Sequence, residues 1–128
     1  MPRPDPIRDP KRPPTEFEVG FFLGVLVGEG HFGGDGRQPQ ITLRMHARHE
    51  LMFRWVLEVF GGKLYGPYDH GGRKYFQWMV RGSALREDIL PLLGRHWLHL
   101  DDHIRGRIEE MCTRYRVPFA PTSAPSAD

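Results

Sequence analysis

The 128-residue chain predicts an α+β domain with the element order α-β-β-α-β-β-α-α. Three patterns carry that expectation. An uncharged apolar run over residues 19–28 has glycine at every fourth position, Gly20, Gly24 and Gly28, which is the repeat of one helix face. Residues 38–46 alternate polar and apolar side chains, the period of a half-buried strand. Glycine-bounded segments at 63–65 and 73–81 read as a second hairpin, and helical spacing returns at 48–60, 83–93 and 101–115.

The first helix opens on a capping box, Thr15 with Glu18, just after Pro13-Pro14, and is expected to end near Gly28. Phe17, Phe21, Phe22, Leu23, Val25, Leu26 and Val27 leave it no polar face, which predicts a helix buried all round. Each glycine inside a helix costs roughly 0.8–1 kcal/mol relative to alanine, so three in register imply a close packing that larger side chains would prevent. In a chain this short, that points to a dimer seam formed by Gly20, Phe21, Gly24, Val25 and Gly28.

Beyond the helix, residues 31–34 are expected to pair with 38–46 across the turn Gly33-Gly34-Asp35-Gly36. Pro39, Ile41, Leu43 and Met45 then face inward, and Gln38, Gln40, Thr42, Arg44 and His46 outward. The second helix, 48–60, carries Leu51, Met52, Trp55, Val56, Val59 and Phe60 at helical spacing and stops at Gly61-Gly62. Lys63-Leu64-Tyr65 and Arg73 to Arg81 form the next hairpin around Gly66-Pro67 and Gly71-Gly72, with Phe76, Trp78 and Val80 inward and Tyr75, Gln77, Met79 and Arg81 outward. Ser83 opens a third helix with Leu85, Ile89, Leu92 and Leu93, and 101–115 form a fourth.

Composition divides the chain into a proline-rich arm at 1–14, expected to be disordered, a folded domain at 15–117, and a disordered Pro/Ser/Ala-rich tail at 118–128. The net charge of +2 hides an uneven distribution. Residues 37–81 hold Arg37, Arg44, Arg48, Arg54, Lys63, Arg73, Lys74 and Arg81 against Glu50, Glu58 and Asp69, interleaved with Tyr65, Tyr68, Tyr75 and Trp78. Basic and aromatic side chains so mixed fit a polyanionic partner. A single cysteine, Cys112, excludes an intramolecular disulfide and a cysteine-rich zinc site, and suggests an intracellular protein of cytoplasm or nucleoid. No apolar stretch approaches the roughly 20 residues that span a bilayer, so no membrane partner is expected.

The most informative residue is Glu29, a carboxylate closing an apolar helix between Gly28 and Gly30. A helix C-terminus already carries partial negative charge, so an acid there is disfavoured by about 0.3–1 kcal/mol unless a cation answers it. Phe22 to Gly30, Phe-Leu-Gly-Val-Leu-Val-Gly-Glu-Gly, followed by His31-Phe32, resembles the nine-residue signature of the LAGLIDADG homing endonucleases. It departs from many members at Val27, where they carry an acid. The element order over 16–115 is similar to one half of that family.

The resemblance implies a twisted four-stranded antiparallel sheet forming a saddle over double-stranded DNA. Signature helices of two halves would pack at its centre. With one motif, the chain resembles the homodimeric members, which cut both strands of a long, near-palindromic site and reside in mobile introns or inteins. The matching acid, Glu29, would be catalytic and hold Mg²⁺ or Mn²⁺, assisted by the carbonyl of Gly28. Pairing about a two-fold axis would bring the two Glu29 carboxylates together, where oxygen-seeking divalent cations offset their repulsion.

The expected DNA-binding residues are His31, Arg37, Gln38, Gln40, Thr42, Arg44, His46, Lys63, Tyr65, Arg73, Tyr75, Gln77 and Arg81, because Arg and Gln on a β-ribbon match base edges in the major groove. Two departures from the family favour a competing reading, a catalytically weak or inactive DNA-binding regulator or an intron RNA maturase. Ala47-Arg48 stands where members often have glutamine and lysine, and no lysine occurs in His96-Trp97-Leu98-His99-Leu100-Asp101-Asp102-His103. That last segment also raises a rival metal site, zinc held by His96, His99 and His103.

Overall fold

The computed structural model describes residues 13–121. The chain runs through α1 (Glu16–Glu29), β1 (Gly30–Gly34), β2 (Pro39–His46), a 3-10 turn (Ala47–His49), α2 (Glu50–Phe60), β3 (Lys63–His70) and β4 (Arg73–Arg81). A composite α3 follows, Gly82–Ala84, a π-helical turn over Leu85–Ile89, and Leu90–Arg95; a 3-10 turn (Trp97–His99) leads to α4 (Asp102–Arg114). The strands form one antiparallel sheet in the order β1-β2-β4-β3. The α+β class and the element order are those read from the sequence.

Two compact units share this chain, one made of the residues up to His31 with Thr42–Val80, the other of Phe32–Ile41 with the residues from Arg81 onward. The first is organised around aromatic rings. Phe22 of α1 stacks on Phe60 of α2 at 4.0 Å and meets Trp78 of β4 edge-on at 5.7 Å. The Trp78 indole N–H donates to the carbonyl of Gly61 at 2.8 Å, so the ring buries its polar atom with a partner. A Cβ on Gly62 would fall 2.6 Å from that indole nitrogen and 2.8 Å from the Met79 carbonyl, and φ is +85°, so only glycine closes α2 here. Phe76, Trp78 and Val80 face inward as their alternation predicts.

Three expectations change in this unit. In α1 only Val19, Phe22 and Leu26 are buried, while Phe17, Gly20, Phe21, Gly24, Val27 and Gly28 are exposed, because the helix offers one stripe to its own core and turns the rest outward. In α2 the buried side chains are Phe53, Val56, Leu57, Val59 and Phe60, whereas Leu51 is 86 % exposed. Glu50, Arg54 and Glu58 form a polar stripe along α2 and Leu51 lies at its margin beside Glu58, so the helix turns Leu51 to solvent and buries the apolar side away from that stripe. Gly66-Pro67, read as a turn, lies inside β3, where the register with β4 shifts between Tyr65 and Tyr68. The strand therefore continues to His70, and the reversal is made by Gly71-Gly72 with Asp69 Oδ1 accepting the Gly72 N–H at 2.9 Å.

The second unit packs Phe32 and Ile41 with Leu85, Ile89, Leu93, Ile104, Ile108 and Met111 in its core. Pro91 explains the π turn of α3. Proline has no N–H and its ring collides with the carbonyl four residues earlier, so the preceding turn widens and the Leu90 N–H reaches back to Leu85 O. Asp101 caps α4 by accepting the Ile104 N–H at 2.8 Å, and Arg105 Nε donates to the Trp97 carbonyl at 2.9 Å. Phe119 lies against Trp97, ring centroids 5.2 Å apart. Burial pushes the Cys112 thiol up to about 11. Apart from 13–14 and 118–121, the arm and tail expected from composition lie outside the described residues. No described helix is long and apolar enough to cross a membrane.

Candidate functional site

Helix α1 is built to end where it does. Its start is closed reciprocally, the Glu18 N–H donating to Thr15 Oγ1 at 3.2 Å and the Thr15 N–H donating to Glu18 Oε1 at 2.8 Å. At its other end the Gly30 N–H bonds the Leu26 carbonyl, and a Cβ on Gly30 would stand 2.5 Å from that oxygen. The glycine lets the chain turn directly out of the helix into β1, leaving Glu29 exposed on the last helical residue, with no basic side chain in that turn. Gly28, exposed as well, carries one of the last-turn carbonyls, which lack intrahelical partners.

The outward face of α1 has a physical peculiarity. A Cβ built on Gly20, Gly24 or Gly28 meets nothing within 4 Å. Nothing within the described chain requires glycine there. Phe17, 74 % exposed, and Phe21 border the same face, and with Leu51, Met52 and Trp55 of α2 they line an apolar groove of about 530 Å³. Phe21 touches both Phe17 (6.0 Å) and Trp55 (5.1 Å).

Within the first unit the strands β2, β3 and β4 gather seven of the expected DNA-binding residues. Thr42, Arg44 and His46 follow one another on β2; Arg73, Tyr75 and Gln77 do so on β4; and Tyr65 of β3 is in register with Gln77. Arg44 Nη2 donates to Gln77 Oε1 at 3.3 Å, and its guanidinium lies 4.9 Å from the Tyr75 ring centroid. Lys63 pairs in register with Met79 at the far end of β3, and His31 is exposed on β1. A concavity of about 410 Å³ is lined by Arg44, His46, His70, Arg73, Lys74 and Tyr75. His46 Nδ1 accepts the Arg48 N–H at 2.9 Å, and partial burial, with the charges of Arg48, Arg73 and His49, holds the imidazole pKa below its ordinary value. The expected DNA-binding set left out Tyr68, His70 and Lys74: ending the strand at Tyr65 put Tyr68 and His70 in a loop, whereas Lys74 already lay in the expected 73–81 strand, and the Gly71-Gly72 reversal was the signal for a longer ribbon.

The remaining expected residues, Arg37, Gln38, Gln40 and Arg81, belong to the second unit. There Asp35 organises the β1–β2 turn: Oδ1 accepts the N–H groups of Arg37 (2.8 Å) and Gln38 (2.9 Å), and Oδ2 lies 3.7 Å from Arg81 Nη1. The Gln38 and Arg37 hydrogen bonds, with the Arg81 charge, hold the Asp35 carboxyl below its ordinary range. The turn thus presents Arg37 outward, while Arg81 faces a carboxylate of its own chain.

Among the described residues no group of three His, Cys, Asp or Glu is placed to hold a metal ion. That leaves the three-histidine zinc reading without support. The chain over 96–103 is a 3-10 turn followed by a capped helix start, not one helix, and although the His96 and His99 rings lie 6.4 Å apart, His103 does not complete a three-ligand group with them.

No protein-family model and no curated protein matches the sequence. Solved structures do. The group I intron-encoded homing endonuclease I-CeuI, complexed with DNA, superposes with a TM-score of 0.65 at 16 % identity over 77 % of this chain and 54 % of that chain. The LAGLIDADG homing endonuclease I-SmaMI bound to cleaved DNA gives 0.62 at 15 % identity, covering 81 % of this chain and 39 % of that one. The homing endonuclease I-TnaI gives 0.55 at 13 % identity, covering 86 % and 92 %. The chain therefore spans about half the length of I-CeuI and less of I-SmaMI. Its fold is that of the LAGLIDADG homing endonucleases.

Proposed function

We propose that two copies of this LAGLIDADG fold unit pair through α1 and act as a sequence-specific double-strand DNA endonuclease, hydrolysing phosphodiesters with Mg²⁺ or Mn²⁺ on a long, near-palindromic site. The observation that carries this reading is the outward face of α1, an exposed glycine stripe ending in the exposed carboxylate of Glu29. The helix cost of three glycines, about 0.8–1 kcal/mol each, is unexplained by the chain's own packing and is offset by a second backbone in close approach. The groove at Phe17, Phe21, Leu51 and Trp55 supports the same seam. A stable interface buries about 1,000 Å² or more; glycines contribute no side-chain area to it, whereas each large aromatic brings about 150–250 Å².

A two-fold axis along that seam makes the contact isologous and brings both Glu29 side chains to the same end of the paired helices. The donor set fits a hard cation, since a carboxylate and last-turn carbonyls are the oxygen ligands that Mg²⁺ accepts alongside water. One chain offers one such carboxylate, so the centre fits as one completed by the second copy. When bound there, a divalent ion supplies Lewis acidity and a water of lowered pKa. The chain's own residues do the rest. Glu29 fixes the centre, and Arg44, Gln77 and Tyr75 present a pre-ordered surface to the duplex. The basic side chains around them neutralise phosphates.

A second reading, a binding protein of this fold acting as a DNA regulator or intron RNA maturase, is favoured by one observation: Lys63 and Lys74 are the lysines among the described residues, and neither lies in α3 or α4. The experiment that separates them incubates the purified protein with genomic DNA carrying its own locus, with and without Mg²⁺, and maps new DNA ends by sequencing. Recurrent metal-dependent ends at one near-palindromic site support the nuclease. Binding to that DNA without new ends supports the regulator, and preference for intron RNA over duplex supports the maturase.

A further inference from the structure

The imidazole of His46 has an acceptor role already assigned by the backbone. Its Nδ1 receives the Arg48 N–H at 2.9 Å, closing the 3-10 turn Ala47–His49 that follows β2. A ring nitrogen that accepts a hydrogen bond carries no proton, so the neutral ring must carry its proton on Nε2, the atom on the opposite side. The half-buried ring lines the concavity with Arg44, His70, Arg73, Lys74 and Tyr75. Permanent cations surround it, Arg44 on its own strand, Arg48 in the turn, and Arg73 and Lys74 on β4, with the imidazoles of His49 in the turn and His70 on β3 beside them. An imidazolium among them would be repelled, and its Nδ1–H would lose the Arg48 bond. Four permanently charged side chains suit phosphate. A fixed, uncharged donor among them has a different chemistry to offer.

We propose that His46 is a specificity-determining residue of the nucleic-acid face, its Nε2–H tautomer fixed by the Arg48 backbone so as to donate to an acceptor on a base edge in the major groove. Purine N7, guanine O6 and thymine O4 are such acceptors, whereas the amino groups of cytosine and adenine are donors that this tautomer rejects. The inference rests on the DNA-binding reading above and deepens it. The lowered pKa of His46, from burial first and then from the charges of Arg48, Arg73 and His49, favours this neutral state.

The test uses the full-length protein and a pool of random-sequence duplexes, with the bound fraction sequenced for wild type, His46→Gln and His46→Asn. Asparagine keeps an acceptor where Nδ1 sits but lacks the reach of Nε2; glutamine keeps a donor at that reach but loses the cap. His46→Asn is expected to lose about 2- to 10-fold of base preference at one two-fold-related pair of positions, with the rest of the motif intact, and His46→Gln to retain it. Nitrogen-15 NMR of the free protein is expected to show Nε2 protonated and Nδ1 bare, and the change in affinity for the selected duplex between pH 6.5 and about 8 to be the same in wild type and His46→Gln. A motif unchanged in His46→Asn, an affinity that climbs as pH falls in wild type but not in His46→Gln, or a protonated Nδ1 overturns the proposal, the second because it marks a His46 imidazolium on phosphate. A wild-type protein that enriches no motif overturns the DNA-recognition reading itself.

Discussion

The Tyr115 hydroxyl accepts the Gly36 N–H at 3.0 Å across 79 residues of chain, tying the end of α4 to the β1–β2 turn. The fit is tight, because a Cβ on Gly34 would overlap the Tyr115 ring and the Gln38 carbonyl. Tyr115 thereby steadies the turn that carries Arg37 and Gln38. Tyr115→Phe is expected to cost about 0.5–1.5 kcal/mol in urea unfolding. It should also weaken DNA binding at saturating folded fraction, whereas Gly34→Ala should be the more destabilising change. Equal DNA affinity for wild type and Tyr115→Phe would show that the turn does not need this tie to engage DNA.

Glu29 sits exposed at the end of α1, away from its own core. Glu29→Gln is therefore expected to leave thermal stability within about 0.5 kcal/mol. Metal-dependent cleavage should fall by about 100-fold or more, the rate equivalent of losing several kcal/mol of metal-assisted charge stabilisation. DNA affinity measured without metal should be unchanged. Cleavage that persists in the variant would dismiss Glu29 as the metal-holding acid.

Gly24 has open space where a side chain would go. In the isolated chain Gly24→Leu should be neutral or stabilising, by up to about 0.8 kcal/mol from helix propensity. In a helix-paired dimer the same side chain wedges the backbones apart. Light scattering is expected to give a dimer mass for the wild type and a monomer mass for the variant, with circular dichroism preserved. A dimeric Gly24→Leu protein would place the seam elsewhere.

Asp35 has a folded-state pKa below its ordinary 3.8, through the Gln38 and Arg37 N–H bonds and the Arg81 charge. The unfolded state then binds a proton at higher pH than the folded one. Its contribution is fully present above that ordinary value and is lost as pH falls through the lowered one. Urea midpoints at pH 5 and at pH 2.5 are expected to converge more in Asp35→Asn than in wild type. Parallel acid losses in both proteins would remove Asp35 from the linkage.

The fold was legible wherever one face of an element differed from the other. Ile41 and Leu43, and then Phe76, Trp78 and Val80, alternate with polar neighbours, and each is buried. In α2 the spacing was ambiguous at the margins of the polar stripe Glu50, Arg54 and Glu58: Leu51 beside it was named as core, and Phe53 and Leu57 were overlooked. Gly66-Pro67 misled for a related reason: the residues that make a turn also make a bulge, and only the partner strand decides between them. Glu29 stood out because its charge conflicts with the local helix. The Arg44–Gln77 bond and the Asp35–Arg81 pair were hidden, since residues 33 and 46 positions apart meet only once strands are in register.

The π turn of α3 couples two changes in the gene that look unrelated. Leu85–Ile89 holds one residue more than an α-helical turn would, and Pro91 is the reason that residue is tolerated. Loss of the exposed Glu87 codon alone would restore an α-helical register and drive the Pro91 ring into the carbonyl one turn earlier. Replacing Pro91 first would remove that clash from the same deletion. Length and proline content in this helix are thus bound to change together, in an order that the geometry dictates.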